Sequence, residues 1–189
     1  YYSDIKKRSI INEKMGAIMK KIKIFNVYNV LAALFVGLSI TFLASPVIAG
    51  QYAALKGVKG VNTVFDVSQG SPKVANIVFW AVKDVYQNES VRSLPNPPST
   101  VVVFHGPSVK LISSDRKGFT SEEIAELDKF ADTIRQMKKD GVTFEICDYA
   151  AKVMGVDPAT IMPEIDHVGN GFISVAGYQA QGYAVVRIP

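Results

Sequence analysis

Hydrophobic positions along residues 61–189 follow two different spacings. Short runs rich in β-branched residues, VNTVFDV at 61–67, TVVVF at 100–104 and VTFEIC at 142–147, predict strands, and a last strand is expected at 183–188. The run at 100–104 is almost wholly apolar, which is typical of a strand buried on both faces of a parallel sheet. Stretches with helical spacing separate these strands. The pattern therefore predicts an α/β fold with a mostly parallel sheet covered by helices on both sides.

Two long helices are predicted between the strands. In the first, Ser71 can cap and Pro72 can occupy the first helical position, and the helix is expected to reach about Asn88. Trp80 lies off the predicted core stripe of this helix, so we expect a sheet on one side of it and a neighbouring subunit on the other. The stripe consists of Val74, Ile77, Val78, Ala81, Val82 and Val85.

The second long helix has the clearest end signals. Thr120 and Glu123 have the spacing of a capping box, and Gly141 is the expected stop. A short helix is predicted at 148–154, whereas residues 172–181 are compatible with more than one secondary structure.

Charge is unevenly distributed along the 189 residues, whose formal net charge is +4. Residues 1–49 hold seven of the 21 Lys and Arg and two of the 17 Asp and Glu, which leaves 14 basic and 15 acidic side chains in residues 50–189. A body with a net charge of −1 offers little basic surface for the release of counterions from nucleic acid. We therefore exclude nucleic acid as a partner.

Residues 19–49 have the three parts of a secretory signal peptide. MKKIK at 19–23 is cationic, residues 30–43 are apolar, and Val47-Ile48-Ala49 forms a small-residue site with cleavage expected after Ala49. The alternative is an uncleaved membrane anchor, because the apolar character of residues 27–49 approaches the ~20 residues that span a bilayer. Residues 1–18 are expected to be an upstream or mis-started segment. The prediction is a periplasmic or secreted domain at 50–189, with no membrane contact after cleavage.

Two predicted strands lead directly into reactive side chains. Phe104 is followed by His105, and Ile146 by Cys147, the only cysteine. In open α/β sheets the reactive crevice lies at the carboxyl ends of the strands. The helix expected after Cys147 would stabilise a thiolate through its free N–H groups and its dipole. The alternative is a small buried apolar cysteine, and position alone leaves both open.

An exported lone cysteine cannot form an intramolecular disulfide, and it is prone to oxidation unless it is shielded or used. No metal-binding, P-loop, dinucleotide-binding or hydrolase-elbow motif occurs in the sequence. We therefore predict no metal and no cofactor.

Three segments in order, VVVFHGPSVKLI at 101–112, GVTFEICDYAAKVMGV at 141–156 and GFISVAGYQAQGYAVVRIP at 171–189, resemble the DsrE/DsrF-like family. The resemblance covers nearly all of residues 50–189. It implies a flavodoxin-like layered domain, a helix at 172–181, and assembly into homotrimers or homohexamers. In that family the cysteine at this strand end carries sulfur as a persulfide, and Cys147 occupies its position. The family's sulfur-relay subunits are cytoplasmic, whereas this chain carries a predicted export signal.

Two hypotheses follow for the function. In the first, the protein is an exported sulfur carrier or sulfurtransferase that works with a sulfur donor or acceptor protein. Cys147 is then the catalytic residue, and His105, Gly106 and Asp148 contact the sulfur species. In the second, the protein is a non-catalytic oligomeric module that binds a small ligand, with Cys147 buried for structural reasons. His105 would then only close a turn, and Asp148 would cap the following helix.

Overall fold

The chain divides into two units, Tyr1–Ala49 and Gly50–Pro189. The computed structural model describes residues 15–16, 19–20 and 52–189, and the four described residues of the first unit are helical. The predicted signal peptide, its cleavage site and the segment before it otherwise lie outside the described residues. Within the described part of the chain, no helix has the length and apolar character needed to cross a membrane.

One sheet of five parallel strands forms the centre of the second unit, in the order β4-β3-β2-β1-β5. This confirms the predicted α/β fold with its layered architecture, although flavodoxin itself has the strand order 2-1-3-4-5. β4 escaped prediction because it has three residues with two polar side chains and no apolar alternation. The strands are β1 (Asn62–Val67), β2 (Ser99–Phe104), β3 (Thr143–Cys147), β4 (Asp166–Val168) and β5 (Ala184–Ile188).

The helices connect these strands and cover both faces of the sheet. The capping box predicted for the helix at Ser121–Lys139 is confirmed: Thr120 Oγ1 accepts from the Glu123 backbone N–H at 3.2 Å, and Glu123 Oε2 accepts from the Thr120 N–H at 2.9 Å. The helix at 171–180 confirms the helical prediction for 172–181. The helices are α1 (Pro72–Gln87), α2 (Glu89–Arg92), α3 (Ser121–Lys139), α4 (Asp148–Val153) and α5 (Gly171–Ala180), with short 3-10 turns at Ala53–Leu55, Gly106–Lys110 and Pro158–Thr160.

The two faces of the sheet bury different kinds of side chain. On the face covered by α1 and α3, the ring of Phe79 meets that of Phe130 edge-on at 4.7 Å and stacks on Phe104 at 5.9 Å. On the opposite face, three strand valines pack beneath Val175 and Tyr178 of α5; they are Val64, Val101 and Val103. The larger core therefore lies on the α1 and α3 side.

The predicted core stripe of α1 is confirmed for Val82 and wrong for Ile77. Trp80, predicted to lie off the stripe, is 76% exposed. The helix buries Ala75, Phe79, Val82 and Tyr86 and packs Val78 and Val85 against the same core, whereas Ile77 is 65% exposed. The reason is that apolar residues run almost all around this helix, so that periodicity alone could not select a face. The rings of Phe79 and Tyr86 bury more apolar area against the sheet than the smaller residues of the predicted stripe would.

Candidate functional site

A cavity of about 240 Å³ opens at the carboxyl end of the sheet, next to β2 and β3. Its lining includes three of the four residues predicted from the sequence to form the site, His105, Gly106 and Cys147. The other lining residues come from α4 and from the start of α5; they are Tyr149, Ala150, Val153, Met154, Asn170 and Phe172. The carboxyl ends of β2 and β3, which the sequence predicted to share one edge of the sheet, therefore both contribute to this cavity.

The cavity exists because two successive helices leave the sheet on opposite faces. α4 follows β3, contacts the 3-10 turn at Gly106–Lys110, and adds Ala150 and Ala151 to the core cluster that includes Phe79 and Phe130. α5 follows β4 and covers the other face, against β1, β2, β3 and β5. Such a divergence leaves a crevice outside the strand ends, which is where open α/β sheets hold their ligands.

Cys147 ends β3 and caps α4 with its own side chain. Its Sγ accepts a hydrogen bond from the Ala150 backbone N–H at 3.4 Å, and the residue is 4% exposed. A sulfur in this position accepts the bond more strongly as a thiolate than as a thiol. Gly171 packs directly on it, since a Cβ built on Gly171 would lie 3.0 Å from the Cys147 Cβ. The cysteine is thus buried from most directions but lines the cavity.

His105 is held in place by a chain of polar contacts across the sheet. Its Nε2 is hydrogen-bonded to Asp66 Oδ1, and Asp66 Oδ2 accepts from Arg187 Nη1 at 2.7 Å. The imidazole and the carboxylate are both buried, and the imidazole meets the ring of Phe172 edge-on at 5.1 Å. Within residues 52–189, His105 Nδ1 has no hydrogen-bond partner. The second ring nitrogen is therefore the one available to a bound molecule.

Asp148, the fourth predicted site residue, is not among the cavity-lining residues. α4 begins at Asp148, so the cap is Cys147, and the expectation that Asp148 caps the helix is wrong. The Asp148 carboxylate instead pairs with His167 Nδ1 at 2.6 Å. His167 is the middle residue of β4, which begins at Asp166. A contact of Asp148 with substrate stays a prediction.

Glu145, two residues before Cys147, is a second buried carboxyl on the face covered by α5. It accepts hydrogen bonds from Ser174 Oγ and, at 2.7 Å, from the Tyr178 hydroxyl. Burial and this bond to Glu145 raise the pKa of Tyr178 above its ordinary value. The carboxylate therefore ties α5 to β3 beside the cysteine.

Sequence reasoning missed Asp66, Glu145 and Arg187. Each is a single charged residue within an otherwise apolar run: VNTVFDV, TFEIC and AVVRI. A charged side chain inside a strand that is buried on both faces must find a partner, so this interruption is the signal that could have identified Asp66 and Glu145. Arg187 lies on the exposed edge strand β5 and gives no such signal. Among the described residues, no group of three His, Cys, Asp or Glu side chains is placed to hold a metal ion.

Comparison with known proteins agrees with this architecture. A family model described as the DsrE/DsrF-like family matches residues 74–188, which is more than half of the chain. The chain belongs to the DsrE/DsrF-like family. The matched stretch contains His105, Cys147 and Arg187 but begins after Asp66, so that β1 lies outside it.

A solved structure similar to this member of the family supports its fold. The protein MTH1491 from Methanobacterium thermoautotrophicum, described as of unknown function, matches with a TM-score of 0.53 and 16% identity over 67% of this chain and 98% of its own. BT1422 from Bacteroides thetaiotaomicron, also of unknown function, gives a TM-score of 0.47 and 18% identity over 67% and 93% of the two chains. A search of curated proteins found no significant match.

Proposed function

We propose that this DsrE/DsrF-like protein is a sulfane sulfur carrier in which Cys147 holds the transferred atom as a persulfide. The observation that carries the proposal is the position of the cysteine: it lines an open cavity together with a buried histidine. Family membership supports the same role, because the cysteine at this strand end is the one that the family resemblance assigns to sulfur.

The chemistry needs a nucleophilic sulfur and room for one more sulfur atom. The Cys147 Sγ, as thiolate, attacks the outer sulfur of a persulfide donor, and the donor leaves as its own thiolate. The cavity beside Cys147 accommodates the added atom. Asp66 occupies Nε2 of His105, which leaves Nδ1 to interact with the bound sulfur species.

Export and self-assembly are further parts of the proposal. The signal-like pattern of residues 19–49 supports a periplasmic or secreted location. The outward-facing Ile77 and Trp80 of α1 support assembly into homotrimers or homohexamers, since large apolar side chains at such exposure favour a protein interface. A sulfur donor or acceptor protein would complete the relay.

The test is a mass measurement on the intact protein. After incubation with benzyl hydropersulfide, a small uncharged persulfide donor, the protein should become heavier by one sulfur atom, and a reducing thiol should remove the increment. The Cys147→Ser variant is the control and should gain nothing. A wild-type protein that gains no sulfur, or a variant that gains as much, contradicts the proposal.

A second candidate function is a non-catalytic ligand-binding module with a structural cysteine. The 4% exposure of Cys147 favours it, because a buried cysteine is commonly a packing residue. The labelling rate separates the two. A small thiol reagent should modify Cys147 in the native protein if it is a sulfur carrier, and only after unfolding if its role is structural.

A further inference from the structure

We infer that the cavity beside Cys147 selects sulfur donors that carry a short, uncharged hydrocarbon group and discriminates against anionic donors. The inference rests on the proposed function, since it names the class of molecule that delivers sulfur to the same cysteine. The observations behind it concern the lining of the cavity, its size and its charge.

The wall and rim of the cavity are mostly hydrocarbon. Tyr149 and Val153 of α4 stand opposite Phe172 of α5, and these three side chains are 67%, 62% and 65% exposed. Met154 and Ala150 lie on the α4 side. Exposed apolar side chains from two helices that converge on one opening are a feature of sites that take up apolar groups.

No cationic side chain lines the cavity. Its nine lining residues include no Lys, Arg, Asp or Glu, and His105 is their only ionisable group besides Cys147 and Tyr149. Arg187, which approaches this edge of the sheet, is already paired with Asp66. A carboxylate or a thiosulfate ion that entered here would lose water without gaining an opposite charge, which is strongly unfavourable.

His105 is the polar side chain beside Cys147 in the cavity lining that is suited to contact a neutral sulfur species. The His105 side chain is 8% exposed, lines the cavity, and has Nδ1 free of hydrogen-bond partners within the described residues. A neutral imidazole nitrogen can accept the hydrogen of an S–H group, and this requires no charge on the donor molecule. The site therefore combines one polar contact for the reacting sulfur with hydrocarbon for the rest.

The volume limits the size of the hydrocarbon group. The cavity is smaller than the roughly 300–1,000 Å³ of pockets that enclose drug-sized ligands. A group of benzyl size suits a cavity of these dimensions, whereas a tripeptide such as glutathione would extend out of its opening.

The transfer step balances without an external oxidant. For a donor R–S–SH, the Cys147 thiolate forms a bond to the outer sulfur while the S–S bond of the donor breaks. The electron pair of that bond leaves with the inner sulfur as R–S⁻, which then takes a proton from water. Cys147 becomes Cys–S–SH, and R–SH leaves the cavity.

Three donors of matched structure test the selectivity. Benzyl hydropersulfide, its 4-carboxy derivative and the methyl ester of that derivative are released from protected precursors, and loading of Cys147 is followed by mass spectrometry. We expect the carboxylated donor to load at least about tenfold more slowly than the benzyl donor, because its charge enters an apolar site. The ester, which is larger but neutral, should load within about threefold of the benzyl donor.

Two variants test whether the discrimination against the carboxylated donor arises at the rim of the cavity. Val153→Lys places a cation at the rim and should bring the rates of the carboxylated and benzyl donors to within about threefold of each other. Ala125→Lys adds the same charge on the exposed side of α3 and should leave the tenfold difference intact.

The outcomes separate the two proposals. Equal loading of the acid and the benzyl donor by the wild-type protein overturns the inference, and so does an ester as slow as the acid or an unchanged ratio in Val153→Lys. In each of these cases the sulfur carrier function stands. Failure of every donor to load Cys147 overturns the proposed function and the inference with it.

Discussion

Replacing Gly171 with alanine measures how closely α5 is seated on the cysteine. A Cβ at this position would lie 3.0 Å from the Cys147 Cβ and 3.1 Å from Val103 Cγ1. Both atoms belong to central strands, so neither can swing away as the tip of a long side chain would. Gly171→Ala therefore requires the first turn of α5 to move away from the sheet by a few tenths of an ångström.

The size of the effect follows from a matched substitution in the same helix. Gly177 is exposed and a Cβ there meets nothing within 4 Å, so Gly177→Ala should stabilise the protein by about 0.5–1 kcal/mol through helix propensity. Gly171→Ala has at most the same gain, from which overpacking subtracts about 1–3 kcal/mol. The free energies of unfolding of the two variants should thus differ by about 1–3 kcal/mol.

Urea unfolding followed by far-ultraviolet circular dichroism provides the assay, because the only tryptophan, Trp80, is too exposed to report strongly on folding. The midpoint should rise for Gly177→Ala and fall relative to it for Gly171→Ala, with similar m-values. Displacement of α5 should also speed the labelling of Cys147 in the native Gly171→Ala protein. Equal stability of the two variants would refute the tight seating of α5.

The remaining predictions concern the buried polar groups and one cap. Asp66→Asn should slow sulfur loading of Cys147 about tenfold, because His105 loses the partner that orients it. The double variant Asp66→Asn/His105→Gln should load no more slowly than His105→Gln alone, and additive slowing would argue against coupling between Asp66 and His105. The pKa of Tyr178 is raised in the folded protein, so the stability that this shift contributes is complete below the unfolded pKa of about 10 and is lost as the pH rises above it. Tyr178→Phe should therefore flatten the decline of the urea midpoint between about pH 9 and 11. Thr120→Ala should lower the free energy of unfolding by about 1 kcal/mol in urea titrations, since it removes half of the capping box.

Local sequence signals were sufficient for most of the architecture. β-Branched runs located four of the five strands, and the Thr120 capping box located the start of α3, because each signal is created within a few neighbouring residues. The placement of His105 and Cys147 at one edge followed from a general property of parallel sheets, in which carboxyl ends point the same way. These features need no knowledge of distant contacts.

Other features depend on contacts that sequence spacing does not encode. The inward face of α1 was predicted only in part: Val82 is buried, but Phe79 and Tyr86 pack inward in place of Ile77, since the sheet determines which apolar side of the helix is covered. The partnership of His105 with Asp66 joins residues 39 positions apart, and no local pattern links them. Cys147 as a cap was also missed, because the helix starts one residue earlier than a cap at Asp148 would require.

Because of the strand order, the sheet is completed only when the last part of the chain has been synthesised. β1 lies between β2 and β5, and its Asp66 meets Arg187 of β5 from 121 positions away. Until the ribosome has produced residues 184–188, the first strand has one row of amides and carbonyls without partners, on a segment rich in valine and phenylalanine. Such an open edge can pair with another nascent chain. Addition of β5 therefore covers the apolar edge of β1 and makes β5, which carries Arg187, the new edge of the sheet.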